Sequence, residues 1–167
     1  MSKVIDILIV VDAETIIKDY GRNNEPAEAA QINSDHVFMT VKEDQALSGQ
    51  GGGDLEIKAN VGDILRWRQT TISLGSGYSA MLCEFKQTAG KDLIINDGPR
   101  TNKVIVPLPN PNDVYHPNTQ VITDYHWNGE VNDYGSEYYA FLFLITDRHG
   151  KTQGFYSWDP KVQVNEE

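Results

Sequence analysis

The sequence predicts an all-β chain, an antiparallel β-sandwich of jelly-roll, immunoglobulin-like or cupredoxin-like kind, with one or two short helices after the first strand. Apolar residues recur at every second position in run after run. Leu55, Ile57, Ala59 and Val61 alternate with Asp54, Glu56, Lys58 and Asn60, the pattern of a strand with one wet face. Fourteen glycines and seven prolines punctuate eight to ten such runs. Helical spacing is confined to one stretch near the N-terminus.

Residues 5–11 are nearly continuously apolar, as in a strand covered on both faces. Asp12 then suits the cap of a helix through Thr15, Ile16, Ile17 and Lys18 that stops at Gly21. Residues 22–34 are polar and broken by Pro26, a loop with room for one more helical turn at 27–31. From His36 the period becomes two, with Val37, Met39 and Val41 set against Phe38, Thr40 and Lys42. Val61-Gly62-Asp63 turns into a strand at 64–69, where Leu65 and Trp67 share one face and Arg66 and Arg68 the other. Further strands are expected at 81–85, at 103–106 before Pro107, Pro109 and Pro111, and at 121–127. The strand at 138–146 returns through the hairpin loop Asp147-Arg148-His149-Gly150, with glycine where positive φ is needed, into 153–158. Asp159-Pro160 bends the chain into a last short strand at 162–164.

A length of 167 residues suits one domain with a proper core. Twenty-four acidic side chains against 14 basic ones give a net charge of −10. The imbalance is even along the chain: residues 1–84 carry 7 basic and 13 acidic groups, residues 85–167 carry 7 and 11. Without clustered Lys and Arg, neither nucleic acid nor an anionic membrane is an expected partner. The N-terminal apolar run is bracketed by Asp6 and Asp12 and falls short of the roughly 20 residues of a span. It also lacks the uncharged core and cleavage site of a signal peptide, so a cytoplasmic, reduced chain is expected. Cys83, alone, forms no internal disulfide and reads as an inert core thiol in an apolar strand.

Cofactor chemistry is not written locally, and none is expected. His36, His116, His126 and His149 form no zinc-type pair, and no Gly-x-Ser-x-Gly elbow occurs. The triple glycine within residues 48–53 is followed by Asp54, Leu55 and Glu56, whereas a phosphate loop needs Lys-Ser/Thr and a helix. Residues 61–67 resemble a strand pair of cupredoxin-type sandwiches, but no histidine follows Cys83 until His116, so a copper site is not expected. The richest candidate ligand site lies in residues 124–134, with Asp124, His126, Trp127, Asp133 and Tyr134 as its members. Rings that stack and carboxylates that accept hydrogen bonds suit a sugar, and the oxygens suit Ca²⁺. The alternative is a strand end whose Tyr125 and Trp127 face the core, followed by a polar loop.

Three stretches in this order carry a family resemblance: Ile5-Asp6-Ile7-Leu8-Ile9-Val10-Val11-Asp12-Ala13-Glu14-Thr15-Ile16, Val61-Gly62-Asp63-Ile64-Leu65-Arg66-Trp67-Arg68, and Gly154-Phe155-Tyr156-Ser157-Trp158-Asp159-Pro160. Together they resemble the bacterial inclusion body protein family, also called the PixA/AidA family, over essentially the whole chain. The resemblance implies abundant, density- or quorum-regulated expression in host-associated bacteria, cytoplasmic inclusions in some members, and no catalytic residues. The member that names the family is rich in methionine, and this chain has three Met, which argues against methionine storage here. The expected function is that of a non-enzymatic, self-associating homo-oligomer, an accessory or binding protein in host interaction. The second expectation is a carbohydrate-binding module, with or without Ca²⁺, that uses residues 124–134.

Overall fold

The structure, a computed structural model, describes residues 2–164. Two open sheets face each other across an aromatic and aliphatic core, with one α-helix among the described residues. The first sheet runs β3 (Val37–Thr40), β1 (Val4–Val11), β6 (Ile64–Thr71), β9 (Asn118–Val131), β8 (Ile94–Leu108). The second runs β2 (Ala30–Gln31), β11 (Thr152–Trp158), β10 (Gly135–Asp147), β12 (Lys161–Val164), β5 (Glu56–Ala59), β4 (Ala46–Ser48), and β7 (Tyr78–Gly90) also pairs with β10.

The expectation of a wholly antiparallel sandwich needs correction. β1 pairs with β6, β2 with β11 and β5 with β12 in parallel. Alternation reports which face is buried and is blind to the direction of the neighbouring strand. β1 also differs from its reading as a doubly covered strand. Ile5, Ile7, Ile9 and Val11 are buried, but Val4 and Leu8 on the other face are 40% and 41% exposed.

Local signals placed the helix well. In α1 (Ala13–Tyr20), Asp12 accepts from the Thr15 amide at 3.2 Å, and the Gly21 amide donates to the Ile17 carbonyl. Ala13, Ile16 and Ile17 form its buried face. The further turn is a 3₁₀ segment at Pro26–Glu28, and the 147–150 hairpin has Gly150 at φ 78°.

β7, β8 and β9 are 13, 15 and 14 residues long, far beyond the short strands expected. Pro107 does not end β8, because β8 is an edge strand and its outer side needs no donor. β9 runs through Gly129 to Val131: a Cβ at Gly129 would lie 2.5 Å from Ile94 Cγ2 and 3.2 Å from the Trp67 ring, so glycine is needed for close packing. Cys83 is exposed rather than in the core, since its strand neighbours Leu82 and Ala80 take the inner face. β8 and β9 stay paired from Ile94↔Val131 to Leu108↔Asn118, whereas β6 accompanies β9 only from Trp127 to Glu130. The hairpin therefore runs on past the sheet as a two-stranded arm.

The core is a seam of rings. Trp67 and Trp127 from the first sheet meet Phe85, Tyr139, Phe141 and Trp158 from the second. Glu137 of β10 is a fully buried acid, and its Oε2 accepts from the amides of Leu93 and Ile94 at 2.6 and 2.9 Å. The carboxylate thus stands in for a strand neighbour where β8 begins. Burial pushes the Glu137 carboxyl up from its ordinary range, against the pull of the two amides.

Two outcomes follow for equilibrium unfolding. Phe141→Ala should cost about 3–5 kcal/mol, the range for a large buried ring. Glu137→Ala should cost about 1–3 kcal/mol per orphaned amide. Glu137→Gln keeps an acceptor and removes the charge. Because the folded pKa lies above the unfolded one, wild type loses stability relative to Glu137→Gln as pH rises through and above the usual carboxylate range. Urea titrations across that range read the difference, and a constant gap would refute the buried-charge account.

Candidate functional site

Successive residues of a strand point to opposite faces, and β9 divides the candidate residues accordingly. Trp127 turns inward. It is 5% exposed, its ring lies 5.8 Å from that of Phe141, and its Nε1 donates to Asn96 Oδ1 at 2.6 Å. Asp124 and His126 lie on the outer face of the first sheet. Asp133 and Tyr134 lie beyond the end of β9, in the loop to β10. Seven residues of strand-like chain separate His126 from Asp133, on the order of 23 Å. The five residues expected to form one site are therefore distributed among the core, a sheet face and a loop. The bland alternative, with Trp127 in the core, describes the middle of the segment better.

On the sheet face the structure assembles a charged relay across three strands. Arg68 of β6 grips Asp124 of β9 with two nitrogens, Nε to Oδ1 at 3.0 Å and Nη2 to Oδ2 at 2.9 Å. Its Nη1 donates to Asp6 of β1. His126 Nδ1 lies 3.0 Å from Asp124 Oδ2. Arg68 stands one residue past the last β6–β9 register pair, Trp67↔Trp127, so it ties the strands together where their backbones separate.

The charges respond as this geometry requires. The Arg68 guanidinium holds the Asp124 carboxyl below the usual carboxylate range, with a smaller contribution from His126. Burial pushes the His126 imidazole down, against the pull of Asp124, and the nearby Arg68 and Arg66 add to the depression. His126 is 1% exposed. At neutral pH it is a neutral ring whose Nδ1–H can donate to Asp124, a positioning contact within the sheet. Arg68 and Asp6 were not among the sequence candidates. The signal was present in Asp6 interrupting an apolar strand and in Arg68 on the polar face of an alternating one.

The loop residues do different work. Asp133 pairs with Lys91 at 2.6 Å and accepts from the Tyr134 amide at 2.7 Å, and Lys91 holds its carboxyl below the ordinary range. An open cavity of about 430 Å³ lies nearby, lined by Phe85, Gln87, Leu93, Ile94, Asn96 and Asn132, with none of the five candidates on its wall. Among the described residues, no three His, Cys, Asp or Glu side chains come together as a metal site, and no helix is long and apolar enough to cross a membrane.

The relay predicts an acid-sensitive fold. Both the depressed His126 and the depressed Asp124 mean that the native state binds fewer protons than the unfolded one at mildly acidic pH. Their contributions are present at neutral pH and are lost as pH falls, first through the ordinary histidine range and then through the carboxylate range. His126→Gln should make the stability loss between pH 7 and pH 5 shallower than in wild type, measured by urea unfolding. Arg68→Ala should cost about 1–3 kcal/mol at pH 7, as expected for loss of charge-assisted bonds in a partly buried site.

Residues 3–164 match the family described as PixA, inclusion body protein. Among solved structures, the crystal structure of an inclusion body protein from Burkholderia cenocepacia J2315 superposes with a TM-score of 0.76 at 20% identity, covering 99% of this chain and 97% of that one. A cysteine protease inhibitor from Entamoeba histolytica, at 17% identity over 66% of this chain and 84% of that one, reaches a TM-score of only 0.28. No curated protein sequence matches the chain.

Proposed function

Because this chain belongs to the PixA inclusion body protein family, we propose that it is a non-enzymatic, cytoplasmic, self-associating protein with an accessory or binding role in quorum-regulated host interaction. One observation carries the self-association. The outer edge of β8 and the β9 edge at residues 118–126 have no strand partner among the described residues. Unpaired strand edges are templates for pairing with another chain, and homo-oligomers with closed symmetry are the common outcome.

The ligand reading has less support. Trp127, the ring best suited to stack on a sugar, is in the core, and the Asp124 carboxylate is already gripped by Arg68. Tyr134, 41% exposed beside Asp133, is what remains for a glycan or Ca²⁺. A glycan array and a thermal shift with Ca²⁺ test it, and blank results in both would remove it.

Self-association is tested by size-exclusion chromatography with multi-angle light scattering at tens of micromolar. A defined dimer or larger closed assembly is the expected result, and a strict monomer would sink the proposal.

A further inference from the structure

The cleft of about 430 Å³ opens where the chain crosses from the second sheet to the first, between the end of β7 and the start of β8. Small-molecule sites span roughly 300–1,000 Å³, and this one has their make-up. Its floor is apolar. Leu93 and Ile94 are buried, and Phe85, stacked on Tyr139 at 5.1 Å, is only half-buried, so part of its ring stays open to the cleft. Carboxamides line the rim, and two of them are held by one end. Asn96 Oδ1 accepts from Trp127 Nε1 at 2.6 Å and from the Gly98 amide at 3.0 Å. Both of its lone pairs are then used, and its Nδ2 hydrogens are what it offers a ligand. Gln87 Nε2 donates to the Gly90 carbonyl at 3.3 Å, which leaves Oε1 as an acceptor. A bulge lies beside each. The β7–β10 register skips Thr88, next to Gln87, and the β8–β9 register skips Asp97, next to Asn96. Bulges re-aim side chains and interrupt the ladder, so at this end the two edges suit a small ligand better than an added strand.

Charge narrows the ligand further. Among the described residues, Asp92 is the only charged side chain on the wall, and it has no ion-pair partner. A phosphate or carboxylate would meet that acid with no Lys or Arg beside it to balance the charge. An anchored donor, an anchored acceptor and a free carboxylate, set around a partly open ring, match a neutral molecule with several hydroxyls and one apolar face, because a hydroxyl both donates and accepts. Resting on the carbohydrate reading, we propose that this cleft, rather than the Asp133–Tyr134 loop, binds a single neutral pyranose unit. Its apolar face lies on Phe85, and its hydroxyls reach Gln87, Asn96 and Asp92. Asn132, on the rim, is the one residue the cleft shares with the 124–134 segment.

The test is a titration of the isotope-labelled chain with the methyl glycosides of glucose, galactose, mannose and N-acetylglucosamine, up to tens of millimolar, followed by amide NMR. The same spectra show whether each variant is folded. The expected result is millimolar binding of at least one glycoside, as few contacts in an open cleft allow. Shifts should centre on the Asn96 side-chain amide and the Leu93 and Ile94 backbone. Gln87→Leu removes the acceptor at an exposed position and should weaken binding by about three- to tenfold. Asn132→Arg fills the cleft from its exposed rim and should abolish binding, whereas Tyr134→Ala should leave it unchanged. Glucuronate should bind several-fold more weakly than methyl glucoside, and equal binding would overturn the choice of a neutral ligand. Binding that is lost in Tyr134→Ala and kept in both cleft variants overturns the cleft and leaves the carbohydrate reading standing. A wild-type chain that answers none of the glycosides overturns both together.

Discussion

Phe141 is the point through which the two sheets are held in register. Its ring centre lies between 5.3 and 5.9 Å from those of Trp67, Phe85, Trp127, Tyr139 and Trp158. Two of these rings come from the first sheet and three from the second, so sliding of the strands would break edge-to-face and stacked ring contacts, each worth about 0.5–1.5 kcal/mol beyond its buried area. The seam also dictates its neighbours. Gly129 exists because Trp67 and Ile94 occupy the space where a side chain would go. The Trp67 indole donates to the Tyr139 hydroxyl at 3.2 Å, a polar contact made inside the ring cluster.

Charge is used in this molecule chiefly to complete what backbone pairing leaves open. Arg68 bridges β1, β6 and β9 where β6 and β9 part company, and Glu137 supplies an acceptor to two amides at the start of β8. Both groups sit where a strand lacks its neighbour, and both replace a missing ladder with side-chain hydrogen bonds. This accounts for the failure of the 124–134 segment to form one site. A dense run of aromatics and carboxylates looks like a pocket when read along the chain, but a strand sends alternate members to opposite faces and carries its two ends far apart.

Local chemistry was legible and long-range pairing was not. Asp12, Gly21 and Gly150 act within four residues of themselves, and their positions followed from capping and turn geometry alone. The alternation of Ile57 and Ala59 with Glu56 and Lys58 marked the buried face of β5 correctly, because burial is a property of each position. The parallel partners of β1, β2 and β5 depend on residues 60 to more than 100 positions away, and nothing in an alternating pattern encodes direction. The strand expected at 121–127 runs on through Gly129 to Val131, because Gly129 serves contact with a tryptophan rather than a turn. Cys83 was placed in the core on apolar neighbours, whereas its face was set by the register of β7 on β10. Asp6 was visible as an anomaly in an apolar strand and Asp124 as a candidate on a polar face, but only the fold could bring both to the same arginine.

The parallel pairs carry a further consequence for how the chain reaches its native state. β2, at residues 30–31, pairs with residues 156–157, and β5, at 56–59, pairs with 161–164. During synthesis the early strands of the second sheet emerge long before the segments that complete them. Closing such loops before any contact rewards them makes folding slow. Until β11 and β12 arrive, apolar strands stay open to matching strands of neighbouring chains, the condition under which partly folded chains associate. Faster synthesis would raise the concentration of that intermediate, so the rate at which the chain is made bears on how often partly folded copies meet before the second sheet closes.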